Sequence, residues 1–235
     1  MDAEALSPLQ WSKHYPTCGG SKQSPMNLTN ASNVHGPVPL KFTGSCLDFN
    51  MTEKSESYTA VVNEGNCTVA TKLSEYKFAQ FHVHTPSEHT IDGKAFDGEI
   101  HFVHKKADGS AALVVGLFLQ KTNEAHTEPA VDAIVDAMSK VTMNSTIPMN
   151  LGSYSKLLGK YINKGHVFNY AGSLTTPPCA EFVNWWVIRT PARISSGQFN
   201  RIVANLAELE ITDEGKNSRP VQPHNGRTVT TYSLW

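Results

Sequence analysis

The 235-residue sequence predicts one mainly β domain (α+β) with a few peripheral helices, and three observations carry that prediction. Short segments of strand-like alternation recur between turn signals along the whole chain, and only two stretches carry a clear helical period. No linker, charge run, internal repeat or composition shift divides the sequence, so a length that suits one large domain or two small ones is read as one.

The clearest strands lie at residues 58–62, 77–84, 99–104 and 112–119, punctuated by turn signals such as Asn63-Glu64-Gly65, Asp92-Gly93 and Asp108-Gly109. The most apolar run, residues 111–119, is nine residues with a glycine inside it. That is half of what a bilayer crossing needs, so it reads as a buried strand and no membrane span is expected. The first predicted helix follows Thr127 as candidate N-cap, with Pro129 in its first turn and Val131, Ile134, Val135 and Met138 on one face. The second follows Ser195 or Ser196 and carries Phe199, Ile202, Val203 and Leu206 at the same spacing. Both are expected to lie on the outside of a sheet.

Composition excludes several classes. Twenty Lys and Arg against 21 Asp and Glu give a net charge of −1, which argues against a strongly basic nucleic-acid binder and an acidic disordered chain. The Gly and Pro residues are dispersed, so collagen-like and low-complexity readings fail. The first ten residues are acidic and show no signal peptide. Four cysteines (Cys18, Cys46, Cys67, Cys179) permit two bridges in any of three pairings. Asn27, Asn30, Asn50, Asn66 and Asn144 each begin an N-x-S/T sequon, and five in so short a chain point to a secretory route. The bland alternative is free thiols and chance sequons.

The ten histidines are unevenly spread. On a strand the side chains alternate, so Gln80, His82 and His84 share one face, and Glu99, His101 and Val103 share another. A hairpin turn through Asp92-Gly93 would pair these strands antiparallel and bring His101 beside His82 and His84. Three imidazoles suit Zn²⁺ and leave a fourth position to water, as catalytic rather than structural zinc sites do. Gln80 and Glu99, on the same face, can accept the outer ring N–H of a ligand and fix its tautomer. An H-x-H pair alone reads equally well as surface strand residues; the third histidine with an amide and a carboxylate beside it outweighs that. Glu88 is expected at the pocket floor. His89 and His104 are expected in the core or behind the ligands, and His14, His35, His126, His166 and His224 at the surface. Downstream, the Thr175-Thr-Pro-Pro178 run is a rigid, non-helical turn whose bland reading is an ordinary loop.

Taken together, the segments around Trp11 and Cys18–Pro25, the QFHVH, SEHTIDG, EIHFVH and GSLTTPP pieces, and the stretch from Asn217 to Pro223 resemble the α-class carbonic anhydrases, in family order and over nearly the whole chain. The resemblance implies a single domain over residues 1–235, built on a large, twisted, mostly antiparallel central sheet of about ten strands. It implies reversible hydration of CO2 to bicarbonate by attack of zinc-bound hydroxide, with zinc on His82, His84 and His101 in a conical cleft. Gln80, Glu99 and the main chain at Asn217 would support those ligands, and Thr175 and Glu88 would orient the nucleophile. Val103, Val114, Leu174, Val183 and Trp185 would form the apolar wall for CO2, and Thr176 would flank the anion site. Anions and sulfonamides are the inhibitors it implies.

A Cys18–Cys179 bridge matches extracellular members, which leaves Cys46 and Cys67 as a second pair, and cis bonds are implied at Ser24-Pro25 and Pro177-Pro178. Aligning Asn63-Glu-Gly-Asn66 on the family's Asn-Asn-Gly-His segment puts Asn66 at the proton-shuttle position, where it cannot titrate. The family's upstream Trp-x-Tyr stretch is absent. Two rivals are weighed. A cupin barrel shares His82-x-His84-x3-Glu88 but lacks the flanking glycines and second motif. A non-enzymatic binding or storage module on this fold would be expected to lose a ligand or the Thr–Glu pair.

Overall fold

The computed structural model describes residues 7–29, 32–123 and 128–233. Fourteen strands run in the order β1 (Ser32–His35), β2 (Lys41–Ser45), β3 (Asp48–Glu53), β4 (Tyr58–Val62), β5 (Asn66–Ala70), β6 (Glu75–His84), β7 (Thr90–Ile91), β8 (Lys94–Ala95), β9 (Gly98–Lys105), β10 (Ala112–Thr122), β11 (Thr146–Asn150), β12 (Val167–Gly172), β13 (Val183–Ser195) and β14 (Thr230–Ser233). The helices are α1 (Trp11–His14), α2 (Pro129–Met138), α3 (Tyr154–Ile162) and α4 (Ser196–Ala207). None of them is long and apolar enough to cross a membrane.

Twelve strands form one sheet, against the ten or so expected, in the order β1-β14-β12-β13-β10-β9-β6-β4-β3-β11, with β5 on β6 and β2 on β5. Two pairings are parallel, β1 with β14 and β10 with β13, and the other pairings of the sheet are antiparallel. The Asp92-Gly93 signal does make a turn: both residues have positive φ (49° and 76°) and join β7 to β8, a small hairpin lying between the two histidine strands.

Alternation sorts the side chains as the sequence predicts. Phe81, Val83, Ile100, Phe102, Leu113, Val115 and Leu117 face one core, which α2, α3 and α4 cover. Val103, Val114, Phe118, Val183, Trp185 and Val187 face a second, smaller cluster on the other side. A fully buried side chain of this size contributes about 1.5–3 kcal/mol, so packing rather than helix propensity holds the covering helices.

Two details of the helices differ from expectation. Glu128, not Thr127, occupies the N-cap of α2, and its carboxylate accepts from Lys160 Nζ and Tyr161 Oη instead of capping; Thr127 itself lies outside the described residues. The helix α3 is not among the elements the sequence predicts. Its Tyr154, Leu157, Leu158, Tyr161 and Ile162 do repeat at helical spacing after a Ser153 cap, and the mid-helix Gly159 dilutes that signal. At α4 the structure selects Ser195 as N-cap, with a reciprocal box to Gln198.

Candidate metal centre

Pairing of β6 with β9 sets His82 directly opposite His101, two pairs from His84 opposite Glu99. One nitrogen of each of His82, His84 and His101 lies within 4.8 Å of the others. Each outer nitrogen faces a polar partner. His82 Nδ1 donates to Gln80 Oε1 at 2.9 Å, and His84 Nδ1 donates to the Asn217 carbonyl at 3.1 Å. His101 Nε2 lies 3.0 Å from Glu99 Oε1. The nitrogens left to face a common point are therefore Nε2 of His82 and His84 and Nδ1 of His101. Buried His84 Nε2 has no hydrogen-bond partner. Three converging imidazoles, pre-oriented by an amide, a carbonyl and a carboxylate and including one orphaned nitrogen, fit Zn²⁺.

Electrostatics favour the neutral ring at two of the three histidines. Burial, aided by the positive charges of His84, His101 and Lys54, holds His82 well below the ordinary imidazole range, and burial likewise lowers His84. Burial also acts to lower His101, but the facing Glu99 outweighs it and raises the ring. Glu99 is fully buried, which by itself would raise it; the charges and hydrogen bonds of His89 and His101 hold it well below the carboxylate range.

Glu99 is the hub of a network that the sequence does not reveal. Its Oε2 accepts from the main-chain N–H of Glu88 and of His89, and its Oε1 also accepts from His89 Nδ1 at 2.8 Å. His89 Nε2 in turn meets Tyr170 Oη at 2.7 Å, and Tyr170 donates to Ser24 Oγ. Gly116 pairs with His101 on β10, and a Cβ there would stand 2.6 Å from Glu99 Oε1, so glycine gives the carboxylate its room. The partners of this chain are scattered over the sequence, and no local pattern announces them.

Glu88 is buried where the sequence places it. Its Oε1 accepts from the main-chain N–H of Arg219 at 2.8 Å, and its Oε2 is 3.7 Å from His84 Nε2 and 3.8 Å from His101 Nδ1. Oε2 has no hydrogen-bond partner, so the expected bond from Thr175 is not formed in this structure. Thr175 is nonetheless buried, on a loop held by the Cys18–Cys179 disulfide, by Ser24 hydrogen bonds to Ser173, and by Trp185 Nε1 donating to the Ser173 carbonyl. Val103, Val114, Val183 and Trp185 come together in the smaller core cluster with Leu174 packed against it. Thr176 is half-buried on the same loop, where its carbonyl accepts from Cys179 N–H.

The second disulfide, Cys46–Cys67, is formed, and the peptide bonds at Ser24-Pro25 and Pro177-Pro178 are cis, as is an unforeseen one at Thr85-Pro86. Buried Arg219 is a further unforeseen element. Its guanidinium donates to Gln23 Oε1 and to the Ser24 and Cys18 carbonyls, and it lies over the Trp11 ring.

Asn66 requires a correction. The strand beside the first ligand is β4, where Thr59 pairs with His82 and Val61 with Gln80. Asn66 comes after that strand, beyond the Asn63–Gly65 bend, at the start of β5 and opposite Ser45. The bend separates two strands that both pair with β6, so the aligned Asn-Glu-Gly-Asn segment follows the ligand's neighbour instead of leading into it. Of the remaining histidines, His89 and His104 are buried, while His14 and His35 are exposed. His166 and His224 are only half-buried, His224 Nε2 donating to the Asn27 carbonyl; His126 lies outside the described residues.

A twelve-stranded mixed sheet with three converging imidazoles beside an apolar cluster is the α-carbonic anhydrase architecture. The chain superimposes on α-carbonic anhydrase from Thermovibrio ammonificans, solved with the inhibitor sulfanilamide, with a TM-score of 0.77 and 27% identity over 96% of each chain. It also superimposes on dioscorin complexed with ascorbate, with a TM-score of 0.82 and 26% identity over 100% of this chain and 97% of that one. In sequence it is 34% identical to human carbonic anhydrase 7, over 94% of this chain and 92% of the relative. The profile of the eukaryotic-type carbonic anhydrases matches residues 6–233, and the chain belongs to that family.

Proposed function

We propose that residues 1–235 act as one zinc-dependent carbonic anhydrase domain that interconverts CO2 and bicarbonate, with His82, His84 and His101 as the metal ligands. The observation that carries this reading is the convergence of three ring nitrogens whose outer nitrogens each face a different polar partner. A zinc ion there supplies the charge that lets a water molecule ionise near neutral pH. Gln80, the Asn217 carbonyl and Glu99 fix the three tautomers and keep the rings aimed. Val103, Val114, Leu174, Val183 and Trp185 offer CO2, a small apolar molecule, a dry wall in place of hydrogen bonds. Thr175 would accept a hydrogen bond from the nucleophile and, on turning to Glu88 Oε2, would donate its own proton to that oxygen, which is unpartnered here while Oε1 is held by the Arg219 N–H. That directs a lone pair at the carbon. Thr176 flanks the departing anion, and sulfonamides and simple anions compete for the same place.

The two disulfides and the sequons support a secreted glycoprotein. The likeness to dioscorin carries a second reading, a binding module on the same fold. Zinc analysis together with stopped-flow CO2 hydration separates the two. The enzyme reading expects about one zinc per chain and hydration abolished by sulfanilamide; metal without hydration, or neither, supports the binding module. His101→Ala should lose both zinc and activity, whereas His104→Ala, on the opposite face, should retain zinc. Full zinc content in His101→Ala would overturn the ligand assignment.

A further inference from the structure

We infer that Asn66 and Asn144 are the N-glycan acceptors of this chain and that Asn27 and Asn50 are not, an inference that rests on the secretory reading above. The sequence leaves five sequons equivalent, and the structure separates the four that lie within the described residues. A glycan requires a side-chain amide that projects into solvent and is not needed elsewhere.

Asn27 fails this requirement. It is half-buried, and its Oδ1 accepts from Thr90 Oγ1 at 2.9 Å and from Gly93 N–H at 2.8 Å, which ties the amide to the β7–β8 hairpin. Asn50 fails it twice. Its Nδ2, the atom that would be modified, donates to Asn63 Oδ1 at 3.0 Å. Its strand is also hemmed between β4 and β11, with Asn50 opposite Val61 and Val61 opposite Gln80. Residues directly opposite share a face, so a sugar on Asn50 would stand on the same side of the sheet as the three histidines.

Asn66 and Asn144 are both exposed, and among the described residues neither amide has a hydrogen-bond partner. Asn144 sits at positive φ (71°) in the turn that Ser145 N–H closes onto the Thr142 carbonyl, and its Thr146 is exposed. Asn66 projects from the start of β5, beside the edge strand β2.

The transfer needs a lipid-pyrophosphate-linked oligosaccharide, the donor of the secretory lumen, and its transferase. A bond forms between Nδ2 and the sugar's anomeric carbon, the bond from that carbon to the pyrophosphate oxygen breaks, the lipid pyrophosphate departs, and Nδ2 loses one proton.

The test is to express the full chain behind a cleavable leader in a eukaryotic cell, with Asn30→Gln present throughout because that sequon lies outside the described residues. Treatment of the secreted protein with peptide-N-glycosidase should collapse two glycan steps in electrophoretic mobility. Asn66→Gln and Asn144→Gln should each remove one step, and the double variant should run as the bare chain. Thr68→Ala and Thr146→Ala should repeat these losses without touching the acceptors, which guards against a variant that does not fold. Asn27→Gln and Asn50→Gln should leave both steps in place. A glycan mapped to Asn27 or Asn50, or a bare Asn66 or Asn144 in the secreted chain, overturns the assignment. Protein from the native source that is bare at both sites, beside a leader-driven chain carrying two glycans, overturns the secretory reading and leaves the choice of acceptors standing.

Discussion

His104 shows how much one buried side chain can decide. It shares a strand with the proposed ligand His101 but points to the opposite face, where its ring lies tilted against Phe78 at 4.9 Å and donates to the Leu113 carbonyl. Burial pushes its imidazole down to about 4. The unfolded chain takes up a proton below the ordinary value of about 6.5, and the folded chain refuses it until about pH 4. Stability from this residue is therefore intact above pH 6.5 and drains away as pH falls toward 4, by on the order of 3 kcal/mol. His104→Phe keeps a ring of similar size. The pH dependence of its urea-unfolding free energy between 6.5 and 4 should be shallower than that of the parent by about that amount; parallel curves would mean that the ring is already protonated when folded. At this scale the sequence is informative. Period-two alternation alone separates His101 from His104 and gathers three ligands from two short segments. It is blind to Arg219, whose guanidinium partners lie 195 to 201 residues away.

Between strands, register and close approach set the chemistry. A methyl at Gly116 would press on Glu99, a buried carboxylate held by four contacts around its two oxygens. Gly116→Ala should weaken zinc binding by about 10- to 100-fold, the usual effect of disturbing a ligand's partner. Competition with a chelating dye would measure this, and unchanged affinity would show that Glu99 has slack. Register also tells where a proton relay could stand. Each turnover releases a proton, and an imidazole is matched to carry it. Val61, 43% exposed and on the histidine side of β4, faces Gln80 two pairs along from His82. Val61→His should raise kcat in dilute buffer and leave kcat/KM for CO2 nearly unchanged; a fall in kcat/KM would instead mean that the ring blocks the cleft. Elements with strong alternation are legible, and β4, β6, β9 and β10 fall within three residues of expectation. The turn at Asn63–Gly65 is legible, but which of its two flanking strands runs beside His82 is not, and that is why the sequence misplaces Asn66.

Across the molecule, two bridges of unequal span brace the chain. Cys18–Cys179 closes 161 residues and Cys46–Cys67 closes 21. The chain-entropy model gives about 5 kcal/mol for the first and about 3 for the second. Urea unfolding of the two Cys→Ser pairs should show the larger loss for Cys18/Cys179, and the reverse order would mean that the residual order of the reduced chain dominates. The wider bridge shares its neighbourhood with Arg219, which joins the carbonyl of Cys18 to the main-chain contact on Glu88. His84 likewise takes its tautomer from a carbonyl 133 residues downstream. The candidate metal site is thus closed by a segment near residue 217. A polypeptide halted before residue 217 lacks the carbonyl that holds His84 in the binding tautomer. Such loop closures are slow to form, so tight metal capture belongs to the last step of maturation and marks a chain that has finished folding.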